Sequence, residues 1–160
     1  PDVVLAYAGT WDLREREAPD WGGPRTIGDP AFDAWLREEL ASALDVLTRR
    51  GARVAWVSPL CARNLRTGFT GVFDPERTRR LDRDIVRPLV AANPDRATYV
   101  DLASVVCPNG EYARHLYGMR DFRIDGVHFS EECARFVGRW PVPRLVEIPR
   151  DRRAEGAARR

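Results

Sequence analysis

Lysine is absent from this sequence: all 26 basic residues are arginines, set against 24 acidic ones. They are scattered rather than clustered, and a net charge of +2 supplies no general attraction for a polyanion, so nucleic acid is not an expected partner. The all-arginine usage reads as a GC-rich coding bias rather than a set of phosphate-binding forks. Long hydrophobic runs are missing too: nothing approaches the roughly 18 apolar residues of a membrane-spanning helix. The N-terminus, Pro1-Asp2-Val3, has neither a basic region nor a cleavable apolar core. Methionine occurs once, at Met119, so the expectation is that Pro1 follows a cut in a longer protein.

Cysteine is sparse, three residues without CxxC spacing, which gives zinc and redox motifs little support. Cys61 follows Ser-Pro-Leu and Cys107 opens Cys-Pro-Asn-Gly, both in expected loops at one edge of a sheet, where they are placed to pair in an oxidising compartment. A set of three fits a reduced protein as well. Cys133 reads as a buried small apolar side chain on a helix.

What is present is 44% hydrophobic and long enough for one globular domain. Residues 3–8 (VVLAYA) form a short apolar run ending at Gly9, the pattern of a strand buried on both faces. A long polar loop is expected over residues 14–28. Asp29 then supplies an N-cap and Pro30 the first helical position, and Phe32, Trp35, Leu36, Leu40, Ala43, Leu44 and Leu47 recur at helical spacing. Arg49 and Arg50 suit the negative end of that helix, and Gly51 its left-handed stop. Residues 53–58 (RVAWVS) are a second buried strand, stopped by Pro59. Asp74 and Pro75 repeat the cap-and-proline start; Leu81, Ile85 and Leu89 give a weaker stripe, which Pro88 is expected to kink. Residues 98–102 (TYVDL) are a third strand, and Ser130 caps a final helix with Glu131 and Glu132 in its first turn. His115, in ARHLYG, is expected on a short helix.

Strands alternate with helices across connections long enough for parallel crossovers, so the expected fold is α/β, a parallel sheet with helices on its faces. It occupies residues 1–148, and the Arg-rich tail, 149–160, reads as disordered. Ligands of such sheets gather at the carboxyl ends of the strands. Residues 9–12 (GTWD), residues 58–61 (SPLC) and the loops from Leu102 to His128 fall there.

Within RIDGVHFSEE, residues 123–132, Asp125 stands three residues before His128, one of two histidines. An imidazole works as a general base when one ring nitrogen is free for a proton, and a carboxylate on the other nitrogen fixes the tautomer and stabilises the imidazolium. Gly126 between them allows a turn tight enough to bring the two side chains within about 2.6–3.2 Å. Taken alone, the same four residues also suit a surface loop that caps a helix. A metal site of Asp121, Asp125, His128 and His115 is a weaker use, lacking a helical HxxxH spacing. Neither a metal nor another cofactor is expected.

DGVHFS before the last helix, together with PDVVLAYAGTWD at a strand end, resembles later blocks of the SGNH (GDSL-like) hydrolase superfamily. IGDPAFDAWLREELASALDVLTRRGARV, VDLASVVCPNGEY and RIDGVHFSEE resemble the SGNH domains fused to acyltransferase-3-type integral membrane proteins of high-GC bacteria, over about residues 1–145. The resemblance implies a three-layer α/β/α domain, N-terminally incomplete here, that acts on O-acyl groups, commonly of glycans. In that family a serine attacks the ester carbonyl, the counterpart of His128 is the general base and that of Asp125 orients it. The family's Gly-Asp-Ser is nowhere in this chain; Gly28-Asp29-Pro30 is a helix cap, and Ser42, Ser58, Ser104 and Ser130 match no nucleophile position. The serine is therefore expected upstream of Pro1. Where many members carry a Gly-x-Asn oxyanion hole, this chain has Gly9, Thr10 and Trp11 followed by Asp12, with the indole available to donate one hydrogen bond, stack on a sugar or pack at the rim. The implied partners are an acylated glycan or small ester and a fused membrane acyltransferase domain, and the implied place is the extracytoplasmic face of a membrane or outside the cell. A non-catalytic glycan-binding module of the same fold is the alternative.

Overall fold

In the computed structural model, which describes residues 1–7, 9–63 and 74–148, the three apolar runs become parallel strands in the order β1-β2-β3. They are β1, Val3–Tyr7, β2, Arg53–Val57, and β3, Ala97–Val100. β2 is buried along its whole length, with a neighbour on either side and packing on both faces. Its side chains alternate, as the pleat requires. Val54 and Trp56 enter one cluster with Phe32, Leu36, Leu44 and Leu81. Ala55 and Val57 enter another with Val100, Val106, Phe122 and Cys133. The fold is thus mixed α/β around a small parallel sheet. β1 corrects the expectation of a strand buried on both faces: it lies at the sheet edge, and Leu5 and Tyr7 are 49% and 56% exposed. Ala8, the expected last residue of that strand, lies outside the described residues.

The first long helix, α1, Pro30–Thr48, starts as its sequence dictates. The Asp29 carboxylate accepts from the backbone N–H groups of Ala31 at 2.9 Å and Phe32 at 3.3 Å, and Arg25 Nη1 donates to both its oxygens. Phe32, Leu36, Leu40 and Leu44 form the buried stripe, and Gly51 takes up the left-handed conformation beyond the helix end. Residues 14–28 are more ordered than the expected polar loop. Arg16 and Arg25 form an antiparallel bridge, residues Pro19–Trp21 a 3₁₀ turn, and the Trp21 ring packs 5.9 Å from Phe32 and 5.8 Å from Trp35.

Pro88 perturbs its helix by changing the turn. Helix α2, Pro75–Arg80, passes into a π-helical stretch, Leu81–Val86, and then into α3, Arg87–Ala91, which has Pro88 in its first turn. The Arg87 N–H bonds the Asp82 carbonyl, a five-residue step. Proline has no N–H for the Asp84 carbonyl four residues back; the Arg37 guanidinium supplies two donors to it instead, each at 3.4 Å. Helices α4, Ala103–Val106, and α5, Glu131–Arg139, follow, with Ser130 Oγ accepting from the Cys133 N–H at the start of α5. Cys133 is buried as expected. His115 is not helical. Leu116 and Met119 bridge across a turn in which Tyr117 and Gly118 both have positive φ, and a right-handed helix cannot run through two such residues. No helix among the described residues is long and apolar enough to cross a membrane. The expected tail, residues 149–160, lies outside the described residues.

Candidate functional site

The segment that carries Asp125 and His128 is a short hairpin closed by a bridge between Arg123 and Phe129. Ile124 N–H bonds the His128 carbonyl at 3.0 Å, and Arg63 N–H bonds the Gly126 carbonyl at 3.1 Å. Gly126 turns the chain at φ +89°, a conformation that costs glycine little and other residues more. The turn directs the Asp125 carboxylate back on the backbone: Oδ1 accepts from Val127 N–H at 2.9 Å and His128 N–H at 2.8 Å. Oδ2 meets His128 Nδ1 at 2.7 Å. The pair is therefore within the expected hydrogen-bonding reach. The imidazole bond first, and the backbone N–H groups after it, hold the Asp125 carboxyl well below the usual carboxylate range. The His128 side chain is 70% exposed, at the cleft.

Gly9, Trp11 and Asp12 share a cleft of about 600 Å³ with His128, Tyr7 and Phe129. This places the GTWD segment beside the histidine at the carboxyl end of β1, as expected from the strand order. Residues Thr10–Leu13 form a 3₁₀ turn in which the Asp12 N–H bonds the Gly9 carbonyl at 3.0 Å; only the backbone of Thr10 is described. Glycine suits position 9, where a Cβ would lie 3.3 Å from Pro59 Cβ and φ is +156°. Burial raises the Asp12 carboxyl above its ordinary value, and Arg16, 3.5 Å away, partly offsets this. Trp11 is 51% exposed, which puts an indole face on the cleft rim.

Cys61 and Cys107 form a disulfide with Cα atoms 5.9 Å apart, the pairing their loop positions allow. The four-residue metal reading is not supported. Asp121 pairs with Arg114 at 2.7 Å, and both line a separate hollow with His115, away from the cleft of His128. No cluster of three or more metal-ligating side chains occurs among the described residues. Nor does a serine line the cleft: Ser58 is buried with Oγ accepting from Ala103 N–H, Ser104 bonds Asp101, and Ser130 caps α5.

One residue at this site gave no signal in the sequence beyond its place in RIDGVH. Arg123 is 2% exposed and has no carboxylate partner among the described residues. One arginine among 26 looks like solvated surface until its contacts are seen. No protein-family model matches this chain, and no curated protein matches it.

Proposed function

We propose that the chain is the carboxyl part of an SGNH-type ester hydrolase or O-acyltransferase domain acting on O-acyl groups of cell-envelope glycans. The observation that carries this reading is the 2.7 Å pair of Asp125 and His128, opening on a cleft walled by residues 9–12. Asp125 holds the imidazole in the Nδ1–H tautomer, so Nε2 is the base that takes a proton from a nucleophile. That nucleophile is a serine outside this chain, in a Gly-Asp-Ser segment preceding Pro1. The edge strand β1 is where a further strand would pair, and its exposed Leu5 and Tyr7 are where a further layer would pack, to complete a three-layer α/β/α domain. Trp11 then stacks on a sugar ring or donates its N–H to the acyl oxygen. The disulfide suits an extracytoplasmic place, beside a fused membrane acyltransferase domain.

The lack of any serine lining the cleft favours a second reading, a non-catalytic glycan-binding module. Ester hydrolysis separates the two. The 160 residues alone should hydrolyse an activated acetyl ester no faster than their His128→Ala variant. A protein extended upstream through Gly-Asp-Ser should hydrolyse it, and lose most of that rate on replacing either the serine or His128 with Ala. An extended protein that carries the serine yet turns over neither simple esters nor acylated glycans sinks the hydrolase reading.

A further inference from the structure

The base of the Asp125 and His128 hairpin is fastened by a buried cation that faces sulfur and carbonyl oxygen rather than a carboxylate. Arg123 Nη1 donates to the Cys61 carbonyl and Nη2 to the Val106 carbonyl at 3.1 Å. The same Nη2 lies 3.6 Å from Cys61 Sγ and 3.4 Å from Cys107 Sγ. The Phe129 and Tyr112 rings lie 5.2 and 5.8 Å from the guanidinium carbon, and the Tyr112 hydroxyl bonds the Arg123 carbonyl. The Arg123 Nε has no hydrogen-bond partner among the described residues. A desolvated guanidinium in such a place is costly unless its acceptors are held still. The two carbonyls it uses come from segments far apart in sequence, and the Cys61–Cys107 disulfide is the covalent link between them. The segment at Cys61 also reaches the tip of the hairpin through the bond from Arg63 N–H to the Gly126 carbonyl.

We propose that Arg123 is a positioning residue for Asp125 and His128, and that the Cys61–Cys107 disulfide is its seat, so that a dithiol reductant releases the hairpin. The role assigned to Arg123 rests on reading Asp125 and His128 as a catalytic pair. Reduction passes two electrons and two protons from the dithiol to the disulfide; the protein S–S bond breaks into two thiols and the reductant closes to its own disulfide. The Cys61 carbonyl is then free to move, and the guanidinium loses its fixed fork.

Amide hydrogen exchange on the oxidised 160-residue chain, followed residue by residue, tests this without any need for turnover. On adding a dithiol, exchange at Ile124 and at the two amides bonded to Asp125, Val127 and His128, should rise by about tenfold or more through a local opening whose rate small amounts of urea leave unchanged, while Val54 and Ser58, bonded to Arg96 and Val100, rise only with the urea-sensitive global opening. Arg123→Lys, which keeps the charge but not the fork, should give the same local pattern in the oxidised protein. If the three hairpin amides keep their protection under both treatments, or if they exchange only through the same urea-sensitive opening as the sheet amides, the proposal is overturned. Should Arg123→Lys not fold, reduction of the native chain decides alone. Because exchange reads geometry and ester hydrolysis reads chemistry, failure of this proposal and failure of the hydrolase reading are told apart.

Discussion

Replacing Asp125 by Asn swaps one acceptor oxygen for a donor nitrogen and should reverse the proton on His128. In the native hairpin Oδ1 takes the amides of Val127 and His128, and Oδ2 takes the ring at Nδ1, 2.7 Å away. An ionised carboxylate only accepts, so the neutral ring carries its proton on Nδ1 and leaves Nε2 bare. In the Asn variant the side-chain oxygen can keep both amides, while the NH₂ faces Nδ1, which must now accept. The proton moves to Nε2, the nitrogen needed as base. The stability cost is small, about 1 kcal/mol, because the three charge-assisted bonds sit on a partly exposed turn and become neutral ones without leaving a backbone donor unpaired. The cost in rate for an extended, serine-bearing protein is large, on the order of 10⁴-fold, as for other orienting Asp→Asn changes in Ser-His-Asp triads. Nitrogen-15 spectra of the imidazole, recorded where the ring is neutral, distinguish protonated from bare nitrogen, and a urea titration gives the stability. The same tautomer in both proteins would refute the reasoning. So would a loss of several kcal/mol, which would make Asp125 a support of the fold rather than of the ring.

Reducing Cys61–Cys107, which are separated by 46 positions, should lower stability by about 4 kcal/mol through chain entropy, seen as a lower urea midpoint in dithiol; an unchanged midpoint counts against the bond. Asp29→Ala removes the acceptor of two N-terminal amides of α1 and should cost about 1–2 kcal/mol, read from the same titration. Acidification tests the carboxylates. Asp125 and Asp29 are held low in the fold, by His128 and by Arg25 respectively. A lowered folded value means stability is fully present above the unfolded value near ~3.9 and is lost as pH falls through the folded one. The urea midpoint should therefore drop progressively below about pH 4, less steeply in Asp125→Asn, and parallel curves would refute the assignment.

The sequence exposed those features that have a local cause. The α1 helix carries its own cap, proline start and stripe, and the Asp-Gly-Val-His turn needs only residues 125–128 to close. The disulfide was legible because two loops leave the same sheet edge. Other features depend on distant chain. An apolar run like that of β1 reports hydrophobicity, whereas the exposure of Leu5 and Tyr7 depends on whether another element lies beside the strand. The contact of Arg37 with the Asp84 carbonyl, 47 positions on, belongs to the packed fold and has no local signature. His115 was misplaced because positive φ at Tyr117, unlike at Gly118, has no residue signature. Arg123 was invisible as a buried fork because burial of a guanidinium is decided by the two carbonyls it meets.

Neither pairing of the sheet is local. Val3 faces Arg53 and Val54 faces Ala97, so β2 takes both partners from remote stretches of chain, and no hairpin can start the sheet. Loop-closure entropy must be met before either pairing returns any free energy. Refolding should accordingly take milliseconds or longer, not the microseconds of helical bundles. Helix α1 can form early from its own cap and stripe, while the strand that follows it waits for both neighbours. During that wait the apolar β2 is open to other chains, which makes the central strand of the finished molecule the most aggregation-prone segment of the refolding one.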